Sequence, residues 1–196
     1  DVKPNDPAAV LAAIRRNFDT PEDFQLIARA PGDTLDFTTS KWHHGSKMII
    51  DATGGDPPLG GPTAMPADLR AIAPGLMKWR LVGHALLVVQ VKRGGDARGT
   101  LTRLVKSPLL SKIKIISIIT DDVDIEDDVD LIWGIFTRFD PAQDLIFTEM
   151  RMQGAIPVYE GVMGIDASFK DGYPEPLTMP QEIIERVDSR WNEYFR

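Results

Sequence analysis

The stretch ITDDVDIEDDVDLIWGIFTRFDP, Ile119–Pro141, decides how the chain is read, because a buried-strand pattern stops there and a helical one starts. Seven of the ten residues from Asp121 to Asp130 are acidic. The run Asp122-x-Asp124-x-Glu126 superficially resembles a calcium loop. Such a loop needs Gly at its sixth position and a bidentate Glu at its twelfth, and here those positions hold Asp127 and Trp133. The favoured reading is structural: KIKIISIIT (Lys112–Thr120) is a strand, the acidic run is a turn, and Asp127 caps a helix over Asp127–Arg138. Carboxylates are favoured at a helix N-terminus by the dipole and the unpaired N–H groups. The apolar spacing places Val129, Ile132, Ile135, Phe136 and Phe139 on one stripe of that helix.

Upstream, ALLVVQVK (Ala85–Lys92) reads as a second buried strand and DARGTLTRLVKS (Asp96–Ser107) as the helix between the two. Downstream, LIFTEM (Leu145–Met150) reads as a third strand. Strand, helix, strand, helix, strand predicts an α/β fold with helices packed on a mixed β-sheet. Nearer the start, Asn5–Phe18 reads as a helix capped by Asp6 with Pro7 in its first turn, and Phe24–Ala28 and Lys47–Ala52 as short strands. Gly54–Pro66 is rich in Gly and Pro and reads as a loop. A final helix is expected to begin at TMPQ, with Thr178 and Gln181 as a capping box and Ile183, Ile184, Val187, Trp191 and Tyr194 as its apolar face.

Two stretches echo each other. Leu11–Leu26 aligns with Ile132–Phe147 at a shift of 121, placing Phe18 on Phe139, Asp19 on Asp140 and Asp23 on Asp144. Lys47–Thr53 resembles Val162–Ser168 at a shift of 115. A partial internal duplication is favoured over chance similarity of two helix–turn–strand units, because order is kept across both blocks. The division expected is a partial repeat module over 1–60, a loop or linker over 61–82, and an α/β domain over 83–196. The first copy lacks the strand–helix–strand that precedes the second, and the chain opens on Asp1 without Met. Both features suggest a fragment of a longer protein.

The net charge of the 196 residues is -7, and a surface of that sign repels phosphate backbones, so nucleic acid is not an expected partner. No apolar run approaches the length of a membrane span. There is no Cys, which excludes disulfides, thiolate chemistry and Cys-ligated metal sites and fits a reducing, cytoplasmic location. His43, His44 and His84 lack the i, i+4 spacing of a helical metal pair, which leaves a His-based metal hydrolase as a weak third option. No dinucleotide fingerprint, P-loop or nucleophile elbow is present. Glu149 and Asp166 are acid candidates without a spacing rule behind them.

A family resemblance adds to this. The signature DDVDIEDDVDLIWGIFTRFDP (Asp121–Pro141), together with MGIDAS (Met163–Ser168) and RVDSRW (Arg186–Trp191), resembles the C-terminal domain of the UbiD family of aromatic and α,β-unsaturated acid decarboxylases. The resemblance covers about Gly83–Phe195. It implies carboxy-lyase chemistry on prenylated FMN with a divalent metal and potassium. The family's catalytic Glu–Arg–Glu set and its metal ligands lie in a part of the enzyme that has no counterpart here. No catalytic or metal-binding residue is therefore assigned, and the chain alone is not expected to be active or to hold a cofactor. The resemblance implies that this region closes one wall of the active site and self-associates or joins a UbiD-type catalytic domain or subunit. It points to Lys106 as the cofactor-contacting lysine, with Lys112 as a rival, and to Gln153 and Ala155 at the substrate wall, where fungal members carry bulky apolar residues. The alternative is a stand-alone, non-catalytic assembly or regulatory subunit of a carboxylase complex.

Overall fold

The computed structural model describes residues 2–36, 38–39, 41–54 and 65–195. Helix α1 (Pro7–Asn17) begins as its sequence dictates, with the Asp6 carboxylate accepting from the Ala9 N–H. A single-turn helix α2 (Thr20–Asp23) leads into strand β1 (Phe24–Pro31), which pairs antiparallel with β2 (His44–Ile50) in a two-stranded sheet. Most of the expected Gly/Pro-rich loop, residues 55–64, lies outside the described residues.

The expected linker over 61–82 is corrected at its end. Leu76–Val82 is strand β3, the edge strand beside β4 (Leu86–Val91). The chain then runs through α3 (Ala97–Val105), β5 (Ile115–Thr120), α4 (Asp128–Phe136), the single-turn α5 (Pro141–Asp144), β6 (Leu145–Gln153), β7 (Ile156–Asp166) and α6 (Gln181–Arg190). The five-stranded sheet has the order β3-β4-β5-β7-β6, parallel at β4/β5 and β5/β7 and antiparallel at both edges. The α/β reading therefore holds, with a mixed sheet and crossover helices joining its parallel strands.

The sheet's two faces carry two cores, because successive side chains alternate across it. Leu87, Val89, Ile116 and Ile118 face α3, packing with Leu101, Leu104 and Val105. Val88, Ile115 and Ile119 face the other way, toward Phe18, Phe24, Leu131, Ile135 and Phe139. Strand β5 is buried along its whole length, which explains its unbroken apolar run.

The internal echo is a structural one. Helix, single-turn helix, strand and antiparallel strand recur as α1-α2-β1-β2 and α4-α5-β6-β7. Strand register is conserved: Phe24↔Ile50, Gln25↔Ile49 and Leu26↔Met48 recur as Leu145↔Ile165, Ile146↔Gly164 and Phe147↔Met163. In each copy the Asp opening the short helix has its N–H bound by the Asp that closes it, Asp19 by Asp23 and Asp140 by Asp144, both at 2.7 Å. The copies also grip each other reciprocally. The Thr20 hydroxyl donates to the Gly161 carbonyl at 2.6 Å. Ser46, at the position matching Gly161, accepts from the Ala142 N–H at 2.8 Å and donates to the Asp140 carboxylate.

Two helix expectations are corrected. The capping box at Thr178 and Gln181 does not form: Pro180 occupies the N-cap, and no side chain caps α6. The buried stripe of α4 is Leu131, Gly134 and Ile135, continued by Phe139, while Val129 (69% exposed), Ile132 (49%) and Phe136 (57%) face outward. The Gly134 face lies against Val123, whose Cγ2 would stand 2.6 Å from a Cβ there. That close approach sets the buried face of the helix and leaves Val129, Ile132, Trp133 and Phe136 unburied.

Candidate functional site

The acidic run is a capped turn, as its spacing indicated. The Asp127 carboxylate accepts from the N–H groups of Val129 and Asp130, at 2.8 and 2.9 Å. Asp130 accepts from the Asp124 N–H, and Asp124 accepts from the Glu126 N–H. Arg80 pairs with Asp128 at 2.8 Å and donates to the Ile125 carbonyl. Among the described residues no group of three or more His, Asp or Glu is placed to hold a metal ion.

Beside this turn lies a cleft of about 660 Å³ between the C-terminal end of α4 and the segment after β7, lined by Asp122, Trp133, Arg138, Phe169 and Tyr173 among others. The strand-to-helix turn delivers Asp122, and the T-R-F-D-P run after α4 delivers Arg138. They pair at 2.7 Å, both mostly buried. Burial alone would raise the Asp122 carboxyl, but hydrogen bonds from Arg138 and Thr120 outweigh it and hold the group below the usual carboxylate range. Tyr173 donates to the Arg138 carbonyl at 2.9 Å, and burial together with the nearby Asp144 charge pushes its phenol up to about 12. The Phe169 ring lies between two guanidiniums, with Arg93 centred 3.5 Å and Arg138 5.3 Å from it, and Arg93 is fastened by two bonds to Glu175.

Such an arrangement is a locked ion-pair network. Its carboxylates are ionised and paired, and its phenol stays protonated at neutral pH. It joins β5, α4 and the segment after β7. Sequence reasoning quoted the T-R-F-D-P run but did not single out Arg138, Tyr173 or Phe169. The available signal was an Arg directly following an apolar helix, in a chain whose acidic run required a cationic partner.

Lys106, Gln153 and Ala155 are all exposed. Lys106 is the C-cap of α3, whose last turn is tied to β6 by the Thr148 hydroxyl donating to the Val105 carbonyl at 3.0 Å. Gln153 ends β6, and Ala155 lies in the turn before β7. From Thr148 to Gln153 the strand extends about 17 Å at its usual rise. The three thus mark one stretch of surface but do not converge on one point. The Lys106 backbone N–H donates to the Thr102 carbonyl at 3.1 Å, while its ammonium has no hydrogen-bond or ion-pair partner among the described residues. Lys112 is exposed in the turn before β5. Glu149 sits across from Glu160 on the hairpin, and Arg151 binds that second carboxylate at 2.6 Å. Asp166 is buried at the end of β7, accepting from the Ser168 N–H and hydroxyl. These two acids share no site. His43, His44 and His84 are exposed, the last in the β3–β4 turn, and they form no cluster.

The model of the 3-octaprenyl-4-hydroxybenzoate carboxy-lyase C-terminal domain matches residues 1–52 and 68–167. A protein of Archaeoglobus fulgidus is 31% identical over 125 residues, covering 56% of this chain and 26% of its own length. One of Chlamydia trachomatis is 27% identical over 183 residues, covering 92% of this chain and 30% of its own. The chain thus spans about a third or less of these relatives' length. Among solved structures, the closed form of vanillic acid decarboxylase from Sedimentibacter hydroxybenzoicus is 19% identical with a TM-score of 0.45, over 65% of this chain and 30% of that one. An evolved dimeric UbiD-class enzyme from Pelotomaculum thermopropionicum, in complex with prFMN, is 19% identical with a TM-score of 0.44, over 59% and 26%.

Proposed function

The chain belongs to the UbiD C-terminal domain family, and from that premise we propose that it forms one wall of the active site of a UbiD-type aromatic acid decarboxylase or carboxylase. Its second task in this reading is association, either between copies or with a catalytic domain or subunit. The observation that carries the proposal is the family match over 1–52 and 68–167.

In this reading the catalytic acid–base set, the metal ligands and most of the flavin cradle come from elsewhere. Prenylated FMN supplies the decarboxylation chemistry when bound. What this chain offers toward it is one unpaired ammonium, Lys106, exposed at the end of a helix whose last carbonyls favour a cation. That fits a single contact to an anionic part of the cofactor, not a complete binding site. Gln153 and Ala155, at the tip of the β6–β7 hairpin, present a polar and a small side chain toward the substrate side. An amide there favours a substrate with a hydrogen-bonding substituent over a purely apolar one.

Titration of the purified chain with prenylated FMN, followed by absorbance, tests the proposal. No saturable binding and no CO2 release from aromatic acids are expected from the chain alone, and both are expected once a UbiD-type catalytic partner is supplied. Tight binding with turnover by the chain alone would overturn it. Association without any effect on a catalytic partner would favour the assembly-subunit reading instead.

A further inference from the structure

One donor in the cleft beside the acidic turn is left over. Arg138 Nη2 pairs with Asp122, but Nη1 is buried and meets no hydrogen-bond partner among the described residues. The side chain is only 11% exposed, and a charged donor buried without an acceptor is costly. Arg138 lines the cleft, whose volume of about 660 Å³ is that of a small-molecule site. The other polar groups there are already engaged within the protein. Asp122 also accepts from the Thr120 hydroxyl, Asp130 from the Asp124 N–H, Asp36 from the Thr38 N–H, and Glu175 from Arg93. The Tyr173 and Thr137 hydroxyls both donate to backbone carbonyls.

Around that donor the walls are apolar and uncovered. Trp133 is 66% exposed, Phe136 57% and Leu177 90%, and all three line the cleft. The wall made by the segment after β7 is fastened twice, by Tyr173 to the Arg138 carbonyl and by Glu175 to Arg93. The cleft therefore stands formed before a ligand arrives, which lowers the cost of binding. Its place in the sheet also suits a ligand. Asp122 follows β5 and Phe169 follows β7, two parallel strands, so the cleft lies at their carboxyl ends, where open α/β sheets take ligands. Gln153 and Ala155 lie at the other end of β7, whose 11 residues span about 36 Å at the usual rise.

Charge narrows the ligand further. The lining holds four carboxylates, those of Asp36, Asp122, Asp130 and Glu175, against the one guanidinium of Arg138, so the local field disfavours an anion. The unmet group is a donor, and an ammonium or amidinium has no acceptor to offer it. An uncharged acceptor satisfies both conditions, and an aromatic ring suits the exposed walls. We propose that the cleft binds an uncharged aromatic amide. Its ring lies against Trp133 and Phe136, and its carbonyl oxygen accepts from Arg138 Nη1. Its N–H groups face the remaining lone pairs of Asp122, so the amide matches the Arg138–Asp122 pair, donor to acceptor and acceptor to donor.

Three probes of one shape test this: benzamide, benzoate and benzamidinium, titrated into the nitrogen-15-labelled chain and followed by proton–nitrogen correlation spectra. Benzamide should give saturable shifts at the Trp133 indole and at the Gly134 and Thr137 amides, with none at Gln153 or Ala155. Benzoate and benzamidinium should each bind at least about tenfold more weakly, one repelled by the carboxylates and the other leaving the donor unmet. Arg138→Lys keeps the charge but loses the fork, and should weaken benzamide by a similar factor. Trp133→Ala removes an exposed side chain and should weaken it too, read at the Thr137 amide. Where Arg138→Lys does not fold, the ranking of the three probes on the unmodified chain decides. The proposal is overturned by benzamide that does not saturate, or by benzoate or benzamidinium binding as tightly. Unchanged affinity in either folded variant, or shifts at Gln153 and Ala155 in place of Trp133, overturns it as well. The measurement needs neither prenylated FMN nor a catalytic partner, so the wall reading stands or falls separately.

Discussion

The two copies of the repeated module share topology and register, but they are buried differently. The hairpin of the second copy is woven into the five-stranded sheet through β5/β7 pairing, while that of the first stands as a two-stranded sheet on its own. Matching positions consequently carry different residues. Gly164 in β7 lies under α3, where a Cβ would stand 2.6 Å from Val105 Cγ2. Its counterpart Ile49 in β2 is 47% exposed. Conserved register thus records the shared backbone, and residue identity records what each copy packs against.

The largest test asks whether the copies are equal at their shared anchor. Phe18 (1% exposed) and Phe139 (6%) fill matching places in one core. Phe18→Ala and Phe139→Ala should each cost about 3–5 kcal/mol in urea unfolding. A loss at Phe18 well under half of that at Phe139 would show that the first copy is an appendage rather than part of the core.

The next test separates the copies at the FD turn. Asp140 is buried and binds Ser46, the Ala142 N–H and the Gln143 amide, whereas Asp19 is exposed and its carboxylate caps nothing. Asp140→Ala should cost about 2 kcal/mol through orphaned donors, and Asp19→Ala no more than about 0.5 kcal/mol. Equal losses would mean that the reciprocal grip between copies is weak. Gly164→Ala is expected to cost about 1–2 kcal/mol by overpacking against α3, with Ile49→Ala near neutral.

Much of this comparison was legible in the sequence. Phe18 and Phe139, the FD turns and the M-x-I-D-A strands align without any structure, and the two buried strands and their helix announce an α/β sheet. What stayed hidden depended on contacts distant in sequence. β3 (Leu76–Val82) reads M-K-W-R in its middle because it is an edge strand exposed along one side, so it lacks the apolar density of β4. The stripe on α4 was misjudged because Gly134, silent in an apolar count, sets the face that meets Val123. At the candidate site the acidic turn was read correctly from its own spacing. The pairing of Asp122 with Arg138 was not, since 16 residues separate them and no local period links them.

The smallest expected effect is a dependence on pH that belongs to the second copy alone. Arg138 matches Asn17, which donates to the Ala52 carbonyl and pairs with no acid. Arg138 instead meets Asp122, delivered by the turn after β5. Because the folded-state pKa of Asp122 is lowered, its ion pair contributes stability above the unfolded carboxylate range and loses it as pH falls through the folded value. Asp144, raised chiefly by burial, has the opposite sign: it costs stability when ionised, and that cost is relieved on acidification. Urea midpoints at pH 7 and pH 3 separate the two. Asp122→Asn should lower the midpoint at pH 7 and shrink the acid-induced drop, by about 1 kcal/mol for a partly solvated pair. Asp144→Asn should deepen the drop, since the group that gains on protonation is gone. An unchanged acid response in Asp122→Asn would show that the Asp122–Arg138 pair sets geometry without contributing net stability, and the two copies would then differ in packing but not in electrostatics.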